Sequence, residues 1–159
     1  MAHEVETMAY AGELPWHGLG TEVSNDLTTI QMMQKAGVDW EVEQQEIIKE
    51  TGIRIKDKVA LVRKSDNTLL DVTGKDWKHV KNEEGFTFVS EFVAAGDIEM
   101  HTEGSLKEGR NVWALAKVKE SFDVFGEDRV DSYLLFSNPH QYGKAVDVRF
   151  TPIRVVCHN

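Results

Sequence analysis

Cysteine is nearly absent from this chain. Cys157 is the one thiol in 159 residues, which excludes an internal disulfide and any multi-thiolate zinc site and suits a reducing compartment. Long apolar runs are missing too. None approaches the roughly 18 residues a membrane helix needs, and no basic region followed by an apolar core opens the chain. A cytoplasmic protein with no membrane partner is expected. Basic residues are scarce, 18 Lys and Arg against 27 Asp and Glu, giving a net charge of −9 and a pI near 5.1. The chain as a whole therefore carries no electrostatic footprint for a polyanion.

Chemistry-bearing motifs are lacking as well. His3, His17, His79, His101, His140 and His158 are scattered without the two-histidine helical spacing of a metal site, so no metal is expected. Neighbouring Cys157 and His158 would point to opposite sides of a strand. No Gly-x-Ser-x-Gly run or protease-like cysteine context supplies a nucleophile. Gly18 and Gly20 are not followed by the rest of a dinucleotide fingerprint, and no phosphate-cradling Gly-Lys-Ser/Thr loop exists. The carboxylates Asp123, Glu127, Asp128 and Asp131 are the one group that could suit a metal-dependent hydrolase, and they read more simply as an acidic turn. A protein without catalytic residues or cofactor is expected.

What is present is ordinary material for one folded domain. Hydrophobic residues make up 41% and charged residues 28%, and a chain of this length buries roughly 70% of its unfolded surface. Residues 1–24, rich in turn formers around Trp16, read as an N-terminal arm; residues 25–159 read as a single domain. Asp26 or Thr28 can cap a short helix ending at Gly37. A strand follows from Trp40 and Val42. Residues 56–63 and 68–72, separated by the Ser-Asp-Asn turn at 65–67, read as a hairpin. Phe86, Val89, Phe92, Val93 and Ile98 share a helical face, predicting an amphipathic helix over about 83–99 unless Gly96 ends it early. Residues 110–119, 129–137 and 145–156 read as strands, the first covered on both faces. The predicted fold class is α+β: a mainly antiparallel curved sheet with one short N-terminal helix and one longer amphipathic helix packed on it.

The acidity is uneven. Residues 54–81 contain Arg54, Lys56, Lys58, Arg63, Lys64, Lys75, Lys78 and Lys81, with Trp77 among them, and Arg110, Trp113 and Lys117 follow. Cations interleaved with aromatic rings are what a single-strand groove uses, since phosphates need charge and unstacked bases need a flat partner. A solvated hairpin with Trp77 and Trp113 packed inward explains the same residues and is the more common case.

Several motifs occur together in order: Trp-His-Gly-Leu-Gly at 16–20, Ala-Gly-Val-Asp-Trp at 36–40 with Val42, Arg63 before the Asp66–Asn67 turn, residues 84–92, Gly-Ser-Leu-Lys-Glu-Gly-Arg-Asn-Val-Trp at 104–113, Tyr-Leu-Leu-Phe-Ser-Asn-Pro-His-Gln-Tyr-Gly at 133–143, and Arg-Val-Val-Cys at 154–157. As a set they resemble the phage/plasmid-like family of uncharacterised proteins found in bacteriophages, plasmids and bacteria, whose members commonly run on into a helical C-terminal part; the resemblance implies either a short member of that family or one with this part absent. The order of short helix, hairpin sheet and longer helix is also similar, at the level of fold, to single-strand-annealing recombination proteins. That resemblance implies single-stranded DNA binding or annealing by a homo-oligomer in a bacterial or phage-infected cell, with Arg63, Lys64, Lys75, Lys78 and Lys81, then Arg110 and Lys117, on the phosphates. The rival expectation is a non-enzymatic protein-interaction or assembly module without nucleic-acid binding.

Overall fold

The computed structural model describes residues 4–12, 18–119, 122–124 and 128–154, excepting the side chains of 122–124, 128–129 and 153–154. Trp16, Cys157, His158 and most of the acidic group at 123–131 therefore lie outside what is described. Among the described residues the order is β1 (Val5–Ala11), β2 (Thr21–Val23), α1 (Thr29–Lys35), β3 (Val42–Ile48), β4 (Arg54–Arg63), β5 (Thr68–Gly74), α2 (Asn82–Ala94), β6 (Ile98–Leu106), β7 (Asn111–Val118), β8 (Phe122–Val124), β9 (Asp128–Pro139) and β10 (Asp147–Arg154). The fold is α+β, and its strands are divided between two sheets.

The larger sheet runs β10-β9-β7-β6-β1-β2, with β8 also paired to β9; the smaller is β3-β4-β5. Every pairing is antiparallel except the short parallel match of β1 with β2. Residues 5–11, expected to belong to an arm, instead form an interior strand with Met8, Ala9, Tyr10 and Ala11 all buried. Their apolar run is short, and turn formers follow it at once, so the flanking glycines masked the strand.

Helix α1 begins where a reciprocal cap is possible: the Gln31 N–H donates to Thr28 Oγ1 at 3.2 Å and the Thr28 N–H to Gln31 Oε1 at 3.0 Å. It ends before Gly37, whose φ of +69° is left-handed. Helix α2 stops at Ala94 rather than 99, because Gly96 takes φ +85° and Ile98 opens β6. Both helices lie on one face of the larger sheet. Met32, Met33, Ala36, Phe86 and Val89 meet a floor that includes Ala9, Met100, Ala114, Leu134 and Phe136. The expectation of helices packed on a single curved sheet is thus refined: they cover the seven-stranded sheet, while the hairpin sheet holds its own small core of Val42, Leu61 and Leu70, closed by Trp40 and Trp77.

The helix layer sits close because α2 presents Gly85 to the sheet. A Cβ there would lie 2.3 Å from Phe136 Cζ, so Gly85→Ala forces the ring or the helix to move. We expect a loss of about 1–3 kcal/mol despite alanine's better helix propensity. Denaturant unfolding checks this: an unchanged or raised midpoint would refute the close approach.

Register matters at one further point. In β6, Ile98 and Met100 pair across from Val118 and Ala116, but a bulge at His101 shifts the ladder so that Glu103 pairs with Ala114 and Ser105 with Val112. The bulge turns Glu103 inward, opposite Ala9 and Ala114 and beneath the helices. Glu103 is completely buried, and neither carboxyl oxygen has a hydrogen-bond partner among the described residues. Desolvation pushes its pKa up to about 9.

Candidate nucleic-acid interface

The two sheets meet through a small set of polar and aromatic side chains. Arg63, at the end of β4, donates to both oxygens of Glu6 on β1 at 2.8 and 2.9 Å and to both oxygens of Asp66 at 2.8 and 3.0 Å. Its guanidinium lies 5.3 Å from the Trp40 ring centroid. The carboxylates hold Arg63 well above its usual pKa, and its hydrogen bonds hold Asp66 well below the carboxylate range. At the tip of the β6–β7 turn, a Cβ on Gly109 would stand 2.8 Å from Arg63 Nη1 and 3.1 Å from Trp40 Cζ2, so the turn closes directly on this clamp.

Beside it lies a buried hydrogen-bonded cluster. Asn82, the first residue of α2, donates from Nδ2 to the Val38 carbonyl at 3.0 Å, which leaves Oδ1 as the acceptor. His140 Nε2, 2.8 Å from that oxygen, must therefore carry its proton. Asn138 Nδ2 donates to the Val80 carbonyl at 3.0 Å. His140 Nδ1 has no hydrogen-bond partner among the described residues. Protonation there would create a buried, unpaired N–H, and burial pulls the His140 pKa down to about 4.

On the outer side of this cluster, the link between β5 and α2 opens as a surface cleft of about 510 Å³, lined by Gln44, Lys75, Trp77, Lys78, His79 and Lys81 together with the carboxylates of Asp76 and Glu84. Trp77 is fixed by its contact with the small-sheet core, and Gln44 Nε2 donates to its carbonyl at 3.0 Å. His79 places its ring 6.4 Å from that of His140, and burial lowers its pKa. Lys81 donates its backbone N–H to Glu84 Oε2 at 3.1 Å, which starts α2 and leaves the ammonium outside. Lys78 and Lys81 form no ion pair among the described residues; Lys75 reaches Asp57 at 3.3 Å in an exposed pair. Such a pair is weak and exchangeable.

The structure thus brings together Lys75, Lys78 and Lys81 of the expected basic set. It separates the others. Arg63 is a correction: it is buried and fully committed to two carboxylates, leaving no donor fork for a phosphate. Lys64 pairs with Glu41 at 2.9 Å. Arg110 belongs to a different cleft, with Glu4, Glu6 and Lys107. Lys117 pairs with Asp131 at 3.0 Å and lies five residues along β7 from Val112, roughly 16 Å from the Asn138 end of the sheet.

Two residues outside the expected set, Tyr142 and Lys58, lie beyond the Trp77 edge of the cleft rather than in its lining. The β9–β10 loop folds back over the small sheet, where the Tyr142 N–H donates to Asp71 Oδ2 at 2.6 Å. Tyr142 is 61% exposed, and its ring lies 6.4 Å from that of Trp77 and has Lys58 Nζ 5.9 Å from its centroid. The turn signal at 137–143 marked a loop, but nothing in the sequence said which sheet that loop would touch.

No group of three or more His, Cys, Asp or Glu side chains suited to a metal ion occurs among the described residues. No helix among them is long and apolar enough to cross a membrane.

The molecule is thus an antiparallel α+β protein with a helix pair over one sheet, a second sheet docked by an arginine clamp, and a cleft of three lysines, two carboxylates and aromatic rings where β5 leads into α2. Residues 69–159 match the family described as Domain of unknown function (DUF932), and the chain belongs to that family. The match includes β5, α2 and most of the cleft and excludes β3 and β4. No curated protein matches the chain, and no solved structure does.

Proposed function

We propose that this protein binds single-stranded DNA through the cleft at the start of α2 and, as a homo-oligomer, anneals complementary strands in recombination of the phage type. The observation that carries this proposal is the convergence of Lys75, Lys78 and Lys81 with Trp77 and His79 on one cleft, where the three lysines outnumber the carboxylates of Asp76 and Glu84, in a chain of net charge −9. Cations hold a phosphate backbone while a ring offers a base a flat partner, and no bond chemistry is required. Repetition around an oligomer would align many small basic patches along one strand.

Binding of a fluorescent oligonucleotide at low and moderate salt, with light scattering on the same samples, tests the proposal. We expect salt-dependent binding by an oligomer. The double change Lys78→Glu and Lys81→Glu should weaken binding at least tenfold at low salt and flatten the log–log salt slope by about 1.4, the loss of two phosphate contacts on a single strand. A folded protein that binds no DNA even at low salt would refute it.

That outcome would leave a protein-interaction module, for which one surface speaks. Phe88 and Phe92 on α2, with Val148 and Phe150 on the neighbouring edge strand β10, are exposed apolar side chains on the helix-covered side of the sheet.

A further inference from the structure

We infer that Tyr142 is a stacking station for an unpaired base, so that the cleft selects single strands over duplexes and over bare polyanions. This rests on the cleft binding the strand as proposed above. It adds a residue and a selectivity that lysines alone do not provide.

Three features support it. First, the ring is presented rather than buried. Tyr142 is 61% exposed, whereas an aromatic residue serving only to anchor a loop gains most by turning inward. Second, the loop that carries it is fixed at several points. The Tyr142 N–H is bound to Asp71, the His140 N–H donates to the Arg110 carbonyl at 2.8 Å, and the Lys144 N–H reaches the Gln141 carbonyl at 3.2 Å. Holding the ring in place before binding reduces the ordering cost when a base arrives.

Third, the surroundings match a nucleotide rather than an apolar ligand. Lys58 approaches the ring, and Lys75, whose N–H donates to the Asp57 carbonyl at 3.2 Å, connects this corner to the cleft. Trp77 stands 6.4 Å away with its ring tilted by 59°. The strip from Lys78 through Trp77 and Tyr142 to Lys58 thus sets two adjacent rings between two cations, an arrangement suited to bases flanked by the phosphates of one strand. A paired base, already stacked on both sides, cannot use the ring without leaving its helix.

The test compares three probes of about 20 nucleotides: oligothymidylate, an abasic backbone of equal length and charge, and a duplex. Wild-type protein should bind oligothymidylate about tenfold more tightly than the abasic strand or the duplex, within the range of base–aromatic stacking. Tyr142→Ala should remove most of the preference for oligothymidylate over the abasic strand, leaving what Trp77 supplies, with an unchanged salt slope because no charge is lost, while Tyr142→Phe should bind as wild type. Unfolding midpoints of both variants should stay close to wild type, since the ring is exposed. Equal affinity for the abasic and base-bearing strands, or no effect of Tyr142→Ala, overturns the inference and leaves the lysine cleft standing. Failure to bind any of the strands overturns the cleft and the stacking station together.

Discussion

Replacing Arg63 by alanine is expected to destabilise the protein by about 3 kcal/mol, which lowers the melting temperature of a domain of this size by roughly 6–12 °C. The guanidinium satisfies Glu6 on one sheet and Asp66 on the other while covering Trp40. Its loss leaves two carboxylates without their partner and a gap beside Gly109. The effect should fall at the lower end for a buried pair, because Glu6 and Asp66 keep 27% and 48% side-chain exposure and rehydrate. Arg63→Lys should rescue little, since a single ammonium cannot make both two-pronged contacts. Thermal unfolding with an oligonucleotide titration separates structure from binding. A variant that melts like wild type but loses DNA would show that Arg63 serves the nucleic acid and not the clamp.

Glu103→Gln is expected to stabilise the protein at neutral pH by up to about 3 kcal/mol, less the cost of burying two amide N–H groups where no partner stands among the described residues. The sign follows from proton counts. Between pH 4.5 and about 9 the folded protein keeps the Glu103 proton while the unfolded chain releases it, so stability falls by about 1.4 kcal/mol for each pH unit across that window. Glutamine retains the shape without an ionisation to suppress. His140 acts in the opposite sense: the unfolded chain takes up a proton below about 6.5 and the folded protein only below about 4, so stability declines as pH falls through that range. Between about 4.5 and 6.5 the two slopes cancel. Below that, Glu6, whose pKa is lowered chiefly by its hydrogen bond to Arg63, steepens the acid limb as it protonates.

The wild type should therefore be most stable on a plateau in mild acid and lose stability toward pH 9, whereas Glu103→Gln, with the His140 slope uncancelled, should gain stability up to about pH 6.5 and stay level from there to pH 9. Denaturant unfolding at several pH values provides the check. A wild-type profile flat from pH 6.5 to 9 would show that Glu103 is hydrated or paired in solution.

Local signals in the chain were sufficient for much of this fold. The Thr28 and Gln31 cap, the glycines at 37 and 96, the turn at 65–67 and the alternation through 111–118 each act over a few residues, and each element lies close to where those signals put it. Composition by itself excluded a disulfide, and the clustering of Lys75, Trp77, Lys78 and Lys81 within seven positions placed the basic aromatic material together before any fold was known.

What the chain did not reveal depends on contacts between distant residues. Strict alternation from Ile98 and Met100 would turn Glu103 to the opposite face; the bulge at His101, set by pairing with β7, turns it inward. Arg63 reads as one more cation in a basic segment until β1 brings Glu6 against it from 57 residues away. Tyr142 comes to stand beside Trp77 because its loop crosses to Asp71, 71 positions distant. Short-range chemistry determines where strands and helices begin and end, whereas burial, pairing and availability of a charge depend on which elements close upon one another, and that was decided only in the folded molecule.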